Sequence, residues 1–391
     1  MAGATDRTAH GVPLGPRRIR WPYRLAFPVP IRLAQGETNR TMISLSVVIA
    51  TLRDDLFALA RVLQACSWAG PRVQIVVRDA CGSAVRAELL HGIAQENCRL
   101  IVAPPCDART NRREALREAR GDFVCLLDDD ALCFDRAIAM LPGVIEGVLA
   151  DPAIVGVAAP ALIETAQGAQ AFAYPNIDAD DPLVRLSGFL SAPGPNLLAS
   201  APVRRTTLLR ALEAIDERPF AFAFDDRLVS LLCLLGGRFA RTTRLMRVED
   251  AGAQADGNRP PADTEFYRAA RLDPATDRLY WYLCGFEGAS LIRTTALDPD
   301  YSPEQRQALA DLWLSAMFAR FRDEPRGSHG SPLGGEADAL CGRWREAGPR
   351  LPFDDMLADI CRFLALSSQD NARRYAAFWS ARPDSREAPA A

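Results

Sequence analysis

Lysine is missing from this chain: every one of its 46 basic residues is arginine. That absence excludes a Walker-type phosphate loop, a pyridoxal-phosphate Schiff base and a lysine-nucleophile aldolase, each of which needs the ammonium group. Histidine is almost as scarce. His10, His91 and His329 form no multi-histidine metal spacing and no HExxH, which argues against histidine chemistry. His91, following Leu89-Leu90, is expected to be a partly buried structural side chain on a helix. The ten cysteines include no CxxC pair, and several lie in apolar runs such as Phe123-Val124-Cys125-Leu126-Leu127, where a thiol acts as a small hydrophobe. With no secretion signal, this pattern fits a reducing, cytoplasmic setting without disulfides. No apolar run approaches the roughly 18–20 residues of a spanning helix, which leaves a soluble or peripherally membrane-bound protein. A net charge of −3 gives no basic field for nucleic acid.

What is present is a β/α rhythm within 391 residues, a length suited to one elaborated domain or two. Residues 1–41 carry scattered Pro and Arg and read as a disordered leader, with Met42 as a natural start or domain boundary. Apolar runs at 45–50, 73–77, 99–103, 123–127 and 154–159 predict strands buried on both faces. Helical patterns at 54–65, 84–95, 109–120 and 135–149 separate them. This alternation implies a doubly wound, mostly parallel α/β sheet. Residues 164–195, rich in Gly, Pro and Asp, read as loops. Helices are predicted from Thr206-Thr207 to Ile215, and from Asp226 to Leu235 where Gly236-Gly237 stops the second. The remainder, 251–391, reads as a helical extension broken at 325–335. Trp281, Trp313, Trp344 and Trp379 fall on its apolar faces and are expected in its core rather than in a membrane interface.

Three acidic clusters stand out. Asp128-Asp129-Asp130 follows the strand at 123–127, at the carboxyl end where open α/β sheets bind ligands. In extended backbone Asp128 and Asp130 share a side, and their oxygens suit Mg²⁺ or Mn²⁺. A turn with a helix N-cap also favours such acids. Asp79 ends the second strand, where it can accept hydrogen bonds from a ribose or base or simply close a turn. Asp225-Asp226 opens a helix; Asp226 can be a general base facing the same crevice, or a cap on the helix dipole.

The order of these pieces over residues 44–247 resembles the family 2 glycosyltransferases with the GT-A fold. Ser46–Thr51 stands where the family has its opening strand. Val76-Val77-Arg78-Asp79 with Gly82-Ser83 resembles its second-strand Asp and Gly-Ser. Arg112-Arg113-Glu114-Ala115-Leu116, followed by Ala119-Arg120-Gly121-Asp122-Phe123, resembles its Arg-Asn helix and the approach to the metal strand. Leu127-Asp128-Asp129-Asp130 resembles the DxD motif. Arg204-Arg205, Asp216-Glu217, Asp225-Asp226 and Gly237 resemble the acceptor-side segment. The resemblance implies a GT-A-like domain at 42–250, with a nucleotide-binding half at 42–150 and an acceptor half at 151–250. It implies that Thr51, Asp79, Arg113 and Asp128 bind the nucleotide sugar, that Asp130 with Asp128 holds Mn²⁺ or Mg²⁺, and that Asp226 is the base. The activity implied is transfer of a sugar from a nucleotide-diphospho-sugar donor to a hydroxyl of a glycan or lipid-linked acceptor, with inversion, in cell-surface glycan synthesis at the cytoplasmic side of a membrane.

This chain departs from the family at several positions. Ala50, Leu52 and Arg53 replace Pro, Tyr and Asn, Arg113 stands for Asn, and Asp225 for Glu. No His follows near Arg247, where Glu249 and Asp250 stand instead. A haloacid-dehalogenase-like phosphatase also places a DxD after a buried strand but uses a lysine, which is missing here. A transferase fold that has lost turnover and only binds nucleotide or glycan is the other alternative.

Overall fold

The structure, a computed structural model, describes residues 42–382 except 94–96, 135, 166–167, 193–195, 251–264, 296–299, 324–334 and 348–351. The expected leader over 1–41 lies outside the described residues. So do His10, His329 and nearly all of the expected break at 325–335.

The first half alternates as the apolar runs require: β1 (Leu45–Thr51), α1 (Leu56–Cys66), β2 (Val73–Asp79), α2 (Ala84–Ile93), β3 (Cys98–Val102), α3 (Ala108–Arg117) and β4 (Phe123–Leu126). A short β5 (Leu132–Cys133), α4 (Ala137–Leu149) and β6 (Ile154–Ala158) follow. The strand residues divide by parity. Leu45, Val47 and Ile49 of β1, Ile75 and Val77 of β2, and Phe123 and Cys125 of β4 join α1 and α4 in one core. Val48, Val76 and Val124 point the other way, into a core shared with α3. Period-2 alternation with apolar residues on both sides gives a sheet covered on both faces.

After β6 come β7 (Ala161–Thr165), β8 (Gly168–Phe172), α5 (Pro182–Ser191), β9 (Val203–Arg204), α6 (Arg205–Asp216), α7 (Asp225–Gly236), β10 (Arg238–Arg241) and β11 (Arg247–Asp250). The main sheet runs β10-β6-β9-β4-β1-β2-β3, parallel except for β9, which lies antiparallel to both neighbours. A second sheet runs β5-β11-β7-β8. The segment 164–195, expected as loops, therefore contains regular structure. β7 and β8 pair antiparallel with Thr165 opposite Gly168. Asp181 caps α5 by accepting the Leu183 amide at 2.8 Å, and Pro182 occupies the first turn. An Asp-Pro pair was thus a helix start rather than loop punctuation. His91 also differs from expectation: it is exposed, its Nδ1 2.7 Å from the Ala87 carbonyl oxygen.

Buried polar groups fix the approach to β4. Ser46 Oγ donates to Gln74 Oε1 at 2.8 Å and accepts the Gly121 amide at 2.8 Å, while Gln74 Nε2 donates to the Glu118 carbonyl at 3.0 Å. A Cβ on Gly121 would lie 2.5 Å from the Ser46 nitrogen. The small residue lets the chain pass directly under β1 and fixes where the acidic triplet emerges.

The extension consists of α8 (Glu265–Ala269), α9 (Tyr280–Thr294), α10 (Pro303–Asp323), α11 (Gly335–Ala347), α12 (Phe353–Ser367) and α13 (Gln369–Ser380). It shares one apolar core with α3, α6, α7 and one sheet face. Trp281, Trp313, Trp344 and Trp379 are all buried in it, in agreement with the sequence reading. Among the described residues no helix is long and apolar enough to cross a membrane. All ten cysteines are free thiols. The join is polar at one point. Glu287 of α9, wholly buried, pairs with Arg218 at 3.1 Å and accepts the Tyr375 hydroxyl of α13 at 2.5 Å. Arg218 also donates to Ser290 Oγ at 2.6 Å and Thr294 Oγ1 at 2.9 Å, and lies over the Trp379 ring.

Candidate active site

The parallel register places Thr51 opposite Asp79, so two residues singled out from the sequence end neighbouring strands side by side. Both are buried and already bonded. Asp79 accepts Arg86 Nε at 2.9 Å and the Cys81 amide at 3.1 Å; Arg86 Nη2 donates to Thr51 Oγ1 at 3.2 Å. Thr51 Oγ1 in turn donates to Asp129 at 2.5 Å. A continuous polar chain thus links β2, α2, β1 and the acidic triplet. Arg86 is only 2% exposed, and its Nη1 has no hydrogen-bond partner among the described residues. A buried unpaired donor of this kind calls for an acceptor from a ligand or water.

The triplet itself follows β4 and turns at Asp129-Asp130, so its backbone is not the extended one assumed from the sequence. The alternation survives nonetheless. Asp129 is buried beneath Thr51, while Asp128 and Asp130 are both exposed. Burial pushes the Asp129 carboxyl up, against the opposing pull of the Thr51 hydrogen bond and Arg53. Arg53 reaches over from the end of β1 to pair with Asp130, and lies 3.4 Å from Asp129.

Helix α3 ties this edge of the sheet to the turn that opens α7. Asn111 Nδ2 donates to the Thr51 carbonyl at 3.0 Å and its Oδ1 accepts Arg78. The next residue, Arg112, pairs with Asp225 and lies over the Phe222 ring at 5.4 Å. Arg109, one turn earlier, pairs with Asp216 at 2.6 Å. Arg113 is instead half exposed and 3.7 Å from Glu114.

Asp225 and Asp226 occupy the first turn of α7, where the helix dipole favours negative charge. Asn196 Nδ2 and Ser230 Oγ both donate to the Asp226 carbonyl at 2.8 Å, and Ser230 also bonds Asn196 Oδ1 at 3.1 Å. Burial raises the Asp226 carboxyl above its ordinary range, with Arg227 and Asn196 holding it back. A more basic carboxylate is a better proton acceptor near neutral pH.

Burial pushes Asp225 up to about 6, with Arg112 opposing. A folded-state value above the roughly 3.9 of an unfolded aspartate means the native state holds more protons between those values. The contribution of Asp225 to stability is therefore greatest below about pH 4, falls as pH rises, and is fully unfavourable above about pH 6. Asp225→Asn should gain stability relative to wild type across that window. Urea unfolding of both proteins at its two ends checks this, and a constant difference would contradict it.

The sequence reading missed Arg86, Asn111, Arg112 and Asn196 as site residues. Arg86 had one usable signal, a basic residue early in the helix that follows the strand-end Asp79. Asn196 had none, since its importance comes from a contact 30 residues away.

No protein-family model matches the chain, and no curated protein sequence does. Solved structures do resemble it. Staphylococcus aureus TarS 1–349 in complex with UDP-GlcNAc superposes with a TM-score of 0.50 at 14% identity, covering 84% of this chain and 82% of that one. The fold is GT-A-like. The same TarS fragment in complex with UDP gives 0.48 at 14% identity over 88% and 89% of the two chains. The mannosyltransferase PcManGT from Pyrobaculum calidifontis, in complex with GDP-Man and Mn²⁺, gives 0.39 at 16% identity over 91% and 90%. In the GT-A-like sheet of this chain, Thr51, Asp79 and the acidic triplet all stand at the carboxyl ends of adjacent strands.

Proposed function

We propose that the chain is a glycosyltransferase that moves a sugar from a nucleotide-diphospho-sugar to an acceptor hydroxyl with inversion. The observation that carries this reading is the arrangement on one sheet edge. Two exposed carboxylates, Asp128 and Asp130, stand over a buried Thr51–Asp129 lock, and α3 ties that edge to the Asp225-Asp226 turn. The TarS likeness, to a protein crystallised with UDP-GlcNAc, supports a nucleotide sugar as donor.

The donor set suits a hard divalent cation. Asp128 and Asp130 offer carboxylate oxygens, the ligand type of Mg²⁺ and Mn²⁺. Among the described residues no three of His, Cys, Asp or Glu cluster as a metal site. Glu249 of β11, a strand paired beside β5, is engaged by Arg247 at 2.5 Å. A two-carboxylate site completed by diphosphate oxygens and water is the usual magnesium pattern. Bound there, the cation would offset charge developing on the leaving diphosphate.

The chain's own residues supply the rest. Asp226 accepts the proton of the acceptor hydroxyl as that oxygen attacks the anomeric carbon. Asn196 and Ser230 hold its backbone. Asp79 and Thr51 orient Arg86, whose unpaired Nη1 is offered to the nucleotide. Arg113, half exposed on α3, is offered to the donor as well. The acceptor is a glycan or lipid-linked hydroxyl, met at the cytoplasmic face of a membrane through peripheral contact.

Arg53 favours the second reading, a nucleotide-binding protein without turnover, because its guanidinium lies on the carboxylates the cation needs. On the first reading Arg53 swings to the diphosphate. Arg53→Gln should then strengthen Mn²⁺ binding by up to about fivefold, the weight of a largely exposed ion pair. Titration of free Mn²⁺ by electron paramagnetic resonance measures it, and unchanged affinity would remove Arg53 as a competitor. The function itself is tested by incubating the protein with UDP-, GDP-, dTDP- and CMP-sugars plus Mn²⁺ and measuring nucleotide release. Release from one donor class that needs the divalent ion is expected; no release from any of them favours the binding protein.

A further inference from the structure

Among the described residues only two Phe, Tyr or Trp side chains are exposed, and both stand on one side of α1. Phe57 is 63% exposed in its first turn, and Trp68 is 44% exposed just past its end. Ser67 between them keeps helical dihedrals, and eleven residues make about three helical turns, so the two rings share a side. Leu132 of β5, a strand packed beside α1, is 41% exposed. Water is an unfavourable place for such large apolar groups, and grouped on one surface they mark a contact site.

Arginines surround these groups. The Arg61 guanidinium lies 5.4 Å from the centre of the Phe57 ring, and that of Arg136, at the start of α4, 4.6 Å from the centre of the Trp68 ring. Arg244, between β10 and β11, brings Nη1 to 2.9 Å from the sulfur of Met140 in α4, and Arg241 ends β10. All four arginines are exposed, and among the described residues none pairs with a carboxylate. Of the two acidic residues that precede α1, Asp55 is committed as its cap, accepting the Ala58 amide at 2.9 Å. Exposed rings and an aliphatic side chain amid guanidinium groups complement a bilayer surface of anionic headgroups. Aromatic side chains settle at the headgroup level, and arginines bond lipid phosphates there.

We infer that this face, formed by α1, β5 and the start of α4, docks on an anionic lipid bilayer. It runs up to the candidate active site: Phe57 follows Arg53 by four residues and Leu132 follows Asp130 by two. Docking there opens the acidic triplet beside the headgroup layer, where a lipid-linked hydroxyl is presented. That purpose rests on the transferase reading; the docking itself does not.

Co-sedimentation of the full chain with vesicles tests it. Vesicles of phosphatidylcholine mixed with phosphatidylglycerol should bind the protein, phosphatidylcholine alone should bind it far less, and added salt should weaken binding. Phe57→Ser with Trp68→Ser, and separately Arg61→Gln with Arg136→Gln, should each weaken it by roughly tenfold. Brominated acyl chains should quench the part of the tryptophan emission that Trp68→Phe removes. Thermal unfolding verifies that the variants fold. Manganese-dependent stabilisation by nucleotide should survive in all of them, so failure of the transferase reading shows separately from failure of the docking face. The inference is overturned by absence of binding to the anionic vesicles, by binding that both double variants retain, or by a wild-type dimer in solution that Phe57→Ser with Trp68→Ser dissociates.

Discussion

Asp226→Asn is expected to lower turnover by about 10²–10⁴-fold, the usual weight of a general base, while nucleotide affinity stays near wild type. The asparagine is nearly isosteric and can keep the helix-start geometry, because the bonds from Asn196 and Ser230 to the backbone carbonyl of residue 226 do not depend on its side chain. What is lost is the basic oxygen, in a place where burial had raised its proton affinity. Loss in kcat with little change in nucleotide binding would match a group used only in the transition state. Equal loss of binding and turnover would instead make Asp226 part of the donor site, and unaltered turnover would remove it from the chemistry. Asp225→Asn is the control. Its carboxylate is committed to Arg112, so its effect should appear in stability and pH dependence more than in kcat.

The largest expected effect on stability is that of Glu287→Ala, about 3–5 kcal/mol. This carboxylate is wholly buried and is the partner of both Arg218 and the Tyr375 hydroxyl. Removing it leaves a guanidinium that is 6% exposed without its counter-charge, and a buried phenol without its acceptor. The three residues join the end of α6 to α9 and α13, so the damage falls at the seam between the α/β body and its helical extension. Glu287→Gln should cost less, since the amide oxygen still accepts from Tyr375. Urea unfolding of the three proteins measures the order. A loss below about 1 kcal/mol for the alanine variant, the scale of an exposed pair, would show that the seam is held by apolar packing alone.

The sequence made the doubly wound sheet legible because its strands are short, β-branched and apolar on both faces. Parity then assigned Val47 and Val48 to opposite cores. The acidic triplet was legible for a similar reason, since a charged run directly after such a strand can only lie at the sheet edge. The segment 164–195 misled because Gly, Pro and Asp punctuate loops and also begin helices and close hairpins. Asp181-Pro182 became a cap, and Gly168 adopts a left-handed φ of 124° beside a strand pair. Contacts that tie the site together were not legible at all. Nothing local marks Arg112 as the partner of Asp225, or Thr51 as the donor that holds Asp129 under its two exposed neighbours. Such pairs depend on the crossing of α3 over the strand ends, which only the assembled sheet fixes.

The central claim is that the edge carrying Thr51, Asp79 and the acidic triplet binds a nucleoside diphosphate with a divalent cation. Thermal unfolding in the presence of UDP, GDP, dTDP and CMP, with and without Mn²⁺, tests it most directly when wild type and Asp130→Ala are compared. One of the three diphosphates should stabilise the wild type only with Mn²⁺, CMP should not, and the stabilisation should vanish in Asp130→Ala. Nucleotide stabilisation that persists in that variant, or none at saturating concentration in a folded wild type, would contradict the account.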